Sequence, residues 1–218
     1  PVQASNHPIY NPSLDYSVYL SQPFFFVLFQ VLILLITVYA VGIEIKFLTA
    51  DEWLFVAKGN MVTAVLGKLL PYTIIFILIG WLANYVMFDI LHIPFQGSWL
   101  LMNMLTALFV VATQALGLFL FSLFPAISLI ISIVSMVGSL GATLSGVTFP
   151  VTNMYPLVRD ASYLFPVRHF TEMMQNMLYG GSGFIYLWPS VVILCIFPLL
   201  AFVLLPHLKR AIESHKYE

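Results

Sequence analysis

Five long apolar runs dominate the chain: Pro23 to Ile43, Leu69 to Phe88, Trp99 to Phe121, Ala126 to Phe149 and Ile185 to Pro206. None contains Asp, Glu, Lys or Arg. Each run is long enough to cross a hydrocarbon core of about 30 Å as a helix. The runs are continuous rather than alternating, and backbone polar groups in lipid must be satisfied internally, so helices rather than barrel strands are expected. Only Ser122 to Pro125 separates the third run from the fourth, and Phe124-Pro125 forces a tight hairpin there. The pattern predicts an all-α membrane protein: residues 1–22 enter the membrane, 23–206 form the transmembrane domain and 207–218 form a tail.

Two intervening segments are mixed in character. Glu44 to Asn60 interleaves Lys46, Asp51, Glu52 and Lys58 with Phe47, Leu48, Trp53, Leu54, Phe55 and Val56. Thr49 is placed to cap a helix starting at Ala50, with Asp51 and Glu52 in its favourable first turn. Trp53, Val56 and Ala57 would share one face, suited either to lying along the membrane surface or to receiving a partner. The second segment, Pro150 to Phe184, is too polar to span. Pro166 can open a helix from about Val167 to Leu178, stopped at Gly180-Gly181. Phe170, Met173, Met174 and Met177 fall on one side of it, and Arg168 and Glu172, at i and i+4, suit a surface salt bridge. This helix is expected to half-insert from the outer face.

Composition strengthens the membrane reading. The 218 residues are 61% hydrophobic and 8% charged, against roughly 25% charged in soluble domains. The near balance of 8 basic and 9 acidic residues offers no field suited to nucleic acid. The single cysteine, Cys195, excludes an intrachain disulfide. Orientation follows from the basic residues: Lys46, Lys58, Lys68, Lys209, Arg210 and Lys216 fall on one side of the five spans, and only Arg159 and Arg168 on the other. Cytoplasmic loops carry the excess of Lys and Arg, so the N-terminal tail is expected outside and the C-terminus in the cytoplasm of a bacterial inner-membrane protein. The chain opens on Pro1, with a polar, turn-rich stretch and no signal-peptide pattern, so a further segment upstream is expected.

Site chemistry of the enzymatic kind is missing from the pattern. Gly67-Lys68 lacks the hydroxyl residue and the upstream glycine of a phosphate-binding loop. The histidines His7, His92, His169, His207 and His215 show no metal-ligand spacing, so neither a metal nor a cofactor is expected on this chain. His169 is expected as a loop or headgroup contact. Within the spans, Gln30, Asn84, Asn103 and Gln114 are uncharged polar groups, suited to interhelical hydrogen bonds or to lining a substrate path. The fourth run is rich in small residues, including Ser128, Ser132, Ser135, Gly138, Ser139, Gly141, Ser145 and Gly146, which favour close helix approach.

Three segments resemble the type-two ABC exporter permeases, especially those with a large extracytoplasmic domain after the first helix. They are YNPSLDYSVYL at Tyr10 to Leu20, GKLLPY at Gly67 to Tyr72, and SGVTFPVTNMYPLVRDASYLFPVRHFTEMMQNML at Ser145 to Leu178. The likeness runs over nearly the whole chain in order and spacing. It implies five of six helices of a permease bundle, the first preceding the external domain. It also implies pairing with a second, identical or different permease and with two cytoplasmic ATP-binding cassette subunits that hold ATP and Mg. A periplasmic adaptor and membrane lipids are further implied or expected partners. By the same resemblance, Glu44 to Asn60 is the coupling segment, with Glu44, Lys46, Asp51, Glu52 and Trp53 as its candidates. Pro150 to Leu178 would be the external re-entrant segment, carried by Pro150, Pro156, Pro166, Arg168 and Glu172. One departure stands out: where many members have an Arg-Glu-Arg-Gly-Thr-like cluster, this chain has Gly42-Ile43-Glu44-Ile45-Lys46-Phe47, retaining only Glu44.

The function expected is ATP-driven export of drug-like, lipid or other amphipathic cargo by alternating access. A non-transporting membrane scaffold and an intramembrane enzyme are the alternatives, the latter requiring a nucleophile or metal constellation that the sequence does not offer.

Overall fold

A computed structural model describes residues 16–147, 149, 151–179 and 184–214. All regular structure among them is helical. The order is α1 (Tyr16–Lys46), α2 (Ala50–Val56), α3 (Met61–Tyr85, continued by a π-helical turn Val86–Ile90), α4 (Trp99–Leu123), α5 (Ile127–Leu144), α6 (Pro156–Ser162), α7 (Pro166–Tyr179) and α8 (Phe184–Glu213). Five of these, α1, α3, α4, α5 and α8, are long and apolar enough to cross a membrane.

The spans lie where the apolar runs lie, but three extend further. α1 begins before Pro23 and continues through Glu44 to Lys46, α3 starts at Met61 rather than Leu69, and α8 continues past Pro206 to Glu213. Each extension carries polar or charged residues, which lower hydropathy without breaking a helix at the interface. The Asn60 side chain caps α3 by accepting from the Val62 and Thr63 N–H groups, at 2.9 and 3.4 Å. α5 is shorter than its run of apolar residues. It stops at Leu144, and Gly146 with φ +86° turns the chain away before Phe149. Prolines 189, 198 and 206 sit inside α8, which helices packed in a membrane tolerate.

α4 is the hub, packing on α1, α3, α7 and α8. Its buried residues go around the helix rather than along one stripe, whereas α3 and α5 are mostly exposed apolar helices at the periphery. α8 presents Leu187, Ser190, Leu194, Phe197, Ala201, Leu205 and Leu208 as a continuous buried stripe, the spacing that keeps a seam on a neighbouring helix. At Gly80 the α3 backbone approaches α4 so closely that a Cβ would lie 2.6 Å from Thr106 Cγ2. On α5 the small residues divide by face. Gly138 and Gly141 are buried against Val31 and Gln30 of α1. Ser128, Ser132, Ser135, Ser139 and Thr143 face outward, and the last four donate to carbonyls of their own helix.

Two ends of the bundle can be distinguished. At one, α2 meets the ends of α1, α3 and α8: Lys209 Nζ donates to the Gly59 carbonyl at 2.7 Å, and His207 Nδ1 to the Ser122 carbonyl at 2.8 Å. Lys46, Lys58, Lys68, Lys209 and Arg210 gather there. At the other, α7 lies against the opposite halves of α1, α4 and α8.

α7, the helix expected to half-insert from the outer face, packs against α1, α4, α5 and α8. α7 is sunk into the bundle: Phe170, Met173, Met174 and Met177 are each at most 1% exposed. The Phe170 ring sits 4.5 Å from that of Phe26 and 4.7 Å from that of Phe109. Three helices thus share one aromatic cluster, and burial of such large side chains outweighs keeping the helix at the surface.

Candidate functional site

The α2 end carries an unusual mixture of ionic and exposed apolar groups. Glu44, near the end of α1, receives Lys68 of α3 as an ion pair and the Thr49 hydroxyl as a hydrogen-bond donor. Lys68 also lies 5.8 Å from the centre of the Trp53 ring, whose Nε1 donates to the Ala64 carbonyl at 3.1 Å. Glu44 and Trp53 therefore hold α2 against α1 and α3, around a pocket of about 640 Å³ that reaches Tyr72. Lys46 ends α1, exposed, with its ammonium 5.9 Å from the Phe47 ring centre. Asp51 and Glu52 are exposed in the first turn of α2.

One detail of this helix corrects the sequence reading. Thr49 occupies the cap position, yet its hydroxyl makes no capping bond and serves Glu44 instead. The acceptor that wins is the ionised one, because charge-assisted hydrogen bonds are the stronger. Trp53, Val56 and Ala57 share a face as expected, together lining the pocket beside Glu44 and Lys68, but they differ in depth. Ala50 and Leu54 are buried, Trp53 and Ala57 are half-buried, and Phe55 and Val56 are 85% and 82% exposed. Phe55 and Val56 follow Asp51 and Glu52 by four residues and so form an apolar tip on the face of those two carboxylates, while Phe47 and Leu48, ahead of the helix, are 63% and 84% exposed. Leu48 adopts φ +58°, an uncommon conformation for a γ-branched residue, and it reverses the chain sharply enough to set α2 across the ends of the spans.

The four polar residues of the spans all lie between helices. Asn84 Nδ2 donates to Asn103 Oδ1 at 3.1 Å and to Thr106 Oγ1 at 2.9 Å, tying α3 to α4. Trp81 Nε1 reinforces this by donating to the Asn103 carbonyl at 3.0 Å. Gln114 lies 2.7 Å from Thr73 Oγ1 across the same helix pair. Gln30, fully buried on α1, accepts the Val167 N–H at 2.8 Å. That donor belongs to the first turn of α7 and has no carbonyl four residues back within its helix, so a side chain must supply the acceptor. One amide group of each of Gln30, Asn84 and Gln114 has no partner among the described residues.

At the α7 end, Pro156 and Pro166 each start a short helix, where a missing N–H costs nothing. Pro150 lies outside the described residues. Arg168 and Glu172 are paired at 3.2 Å, with the Arg168 side chain only 8% exposed and that of Glu172 43%, so the pair runs from the bundle interior to its surface. Ser190 of α8 donates to the same Glu172 oxygen at 3.2 Å. His169 makes the loop contact expected of it, from a buried position: Nε2–H donates to the carbonyl of Tyr163, in the connection between α6 and α7, at 3.0 Å. Burial lowers its pKa from the usual value, and the Arg168 charge acts in the same direction, against the hydrogen bond and Glu172. Its neutral form is the one this site favours.

Sequence reasoning missed Lys68 as the partner of Glu44, because 24 residues separate them. It also missed Thr73, Thr106 and Ser190, whose hydroxyls complete contacts begun by residues on other helices. Their hydroxyls within apolar runs were the available signal. No group of three or more His, Cys, Asp or Glu side chains placed to hold a metal occurs among the described residues.

Residues 1–205 match the profile of the family described as "ABC-2 family transporter protein". Among curated proteins, the chain is 31% identical over 108 residues to the "Inner membrane transport permease YhhJ" of Escherichia coli, 48% of this chain and 28% of that protein. It is 27% identical over 121 residues to the "Probable multidrug ABC transporter permease YbhS" of the same organism, 54% of this chain and 31% of that protein. The matched region thus spans about a third or less of either relative. No solved structure matches the chain.

Proposed function

The chain belongs to the ABC-2 family of transporter proteins, and from that premise we propose that it is the membrane part of a permease subunit driven by separate ATP-binding cassette subunits. The observation that carries the proposal is the α2 end: a short helix, pinned by Glu44, Trp53 and Lys68, that presents Phe55 and Val56 beside Asp51 and Glu52. An apolar, acid-flanked tip fits a groove on a partner. Pinning to two spans lets a push on α2 reach α1 and α3 as a unit. ATP and Mg belong on the partner, whose closure would shift this permease between inward-open and outward-open arrangements through different contacts in the two states.

The gathering of Lys46, Lys58, Lys68, Lys209 and Arg210 supports placing the α2 end in the cytoplasm and the N-terminal tail outside, at the bacterial inner membrane. The direction is export, of drug-like, lipid or other amphipathic cargo. The half-satisfied amides of Gln30, Asn84 and Gln114, with Asn103, are the groups we assign to its path. The outward hydroxyl face of α5 is assigned to a second permease, and the α7 end to the side of an external domain and periplasmic adaptor.

Co-purification of the permease with its ATPase tests the reading. Asp51→Lys with Glu52→Lys should weaken association and uncouple ATP hydrolysis from transport. Unchanged association and unchanged coupled hydrolysis would remove α2 from the mechanism.

A further inference from the structure

Where the α2–α3 turn meets the end of α8, two concave regions run into one another. The outer one, about 420 Å³, is lined by Lys58, Gly59, Asn60 and Lys209. The deeper one, about 390 Å³, lies between α3, α4 and α8, with Leu69, Ala115, Pro198 and Ala201 among its walls. Val62, Phe202 and Leu205 line both, so they form one groove.

The chemistry changes along its length. The mouth is cationic: Lys58 is exposed and makes no ion pair among the described residues, and Lys209 donates to the Gly59 carbonyl at 2.7 Å with Glu213 at 3.7 Å. Beyond Val62 the walls are apolar until Thr73 and Gln114. From Val62 to Thr73 is eleven residues of α3, about 16 Å at the helical rise of about 1.5 Å per residue. Leu66, Leu70 and Phe202, at 59%, 57% and 58% exposed, flank the opening. A groove that opens sideways between membrane spans is filled by hydrocarbon, and its mouth falls where the spans end, at headgroup depth.

We propose that this groove seats one anionic phospholipid of the leaflet at the α2 end, its phosphate between Lys58 and Lys209 and one acyl chain lying along α3 and α8 as far as Thr73. Free phosphate would meet the lysines and leave the apolar length empty. A zwitterionic lipid would fill the groove but bring its own ammonium beside two others. Lys58, at φ +53°, and Gly59 form the turn that joins α2 to α3, so the bound lipid ties the base of α2 to α8. The site would make the position of α2 sensitive to the anionic lipid content of the membrane.

Native mass spectrometry of the full permease, released from nanodiscs of equal phosphatidylglycerol and phosphatidylcholine with matched chains, tests this. One phosphatidylglycerol should be retained in preference, each lysine contributing about fivefold. Lys58→Gln with Lys209→Gln should abolish the preference, and Lys46→Gln, at the same end but outside the groove, should leave it intact. Val62→Trp, at the junction, should reduce retention of both lipids. Equal retention of the two lipids, a preference that survives the double substitution, or equal loss from Lys46→Gln would each overturn the proposal. Absence of any retained lipid would mean that polypeptide covers the groove, and would overturn it too.

Discussion

The two amphipathic helices at opposite ends of the bundle, α2 and α7, use their apolar residues in opposite ways. α7 has fourteen residues and turns Phe170, Met173, Met174 and Met177 into the centre of the bundle. α2 has seven, buries only Ala50 and Leu54, and leaves Phe55 and Val56 outside. Polar chemistry follows the same division. At α7 an arginine and a histidine go inward with the helix, each given a partner by Glu172 or the Tyr163 carbonyl. At α2 the ionic pair Glu44–Lys68 lies beneath the helix and fixes its base. One helix is part of the core, and the other is a device attached to the core by its underside.

The sharpest break of that contrast comes from truncating one phenylalanine on each helix. Phe170→Ala should cost about 3–5 kcal/mol, the usual range for a fully buried aromatic, seen as a much lower melting temperature in detergent. Phe55→Ala should change stability by no more than about 0.5 kcal/mol while weakening ATPase association. A second break is Gln30→Leu, which leaves the Val167 N–H buried without an acceptor. About 1–3 kcal/mol should be lost, with faster amide exchange at the start of α7 and none at α2. Glu44→Gln should do the reverse at about 1–2 kcal/mol, discounted because the pair is part-exposed. Exchange should then rise across α2, and Lys68→Met in the Glu44→Gln background should add little further.

Those residues also mark where the sequence was legible. The five spans were readable because no charge interrupts the apolar runs, and the α4–α5 hairpin because Phe124-Pro125 leaves the chain little choice. Helix ends were less readable, since Glu44 and Lys68 depress hydropathy while belonging to α1 and α3. The existence of α7 was plain from Pro166 and its periodicity, but not its depth. Arg168 and Glu172 at i and i+4 look the same on a surface as in a bundle, and it is contacts distant in sequence, such as that of Gln30 with Val167 137 residues on, that reveal the difference. The shared face of Trp53, Val56 and Ala57 was readable from their spacing, but not how deeply each would sit, because the orientation of α2 is set by the left-handed Leu48 and by Trp53 reaching Ala64, neither of which periodicity contains.

The smallest effect sharpens the α7 side. His169 is held neutral, its pKa below the ordinary value of about 6.5 because burial opposes its charge. Below about pH 6.5 the unfolded chain takes up a proton that the folded one does not. Stability should therefore fall as pH drops from about 6.5 toward the folded pKa and level off beneath it. His169→Gln should remove that slope without altering the pH response of ATPase association.

The most direct test of the division between the ends is a cross-linking pair in a Cys195→Ser background. Val56→Cys samples the exposed tip of α2 and Leu157→Cys, on α6, the exposed opposite end. In membranes containing the assembled transporter, Val56→Cys should cross-link to the ATP-binding subunit and resist a membrane-impermeant thiol reagent applied from outside. Leu157→Cys should react with that reagent and form no such cross-link. A cross-link from position 157 to the ATPase, or external labelling of position 56, would contradict the account.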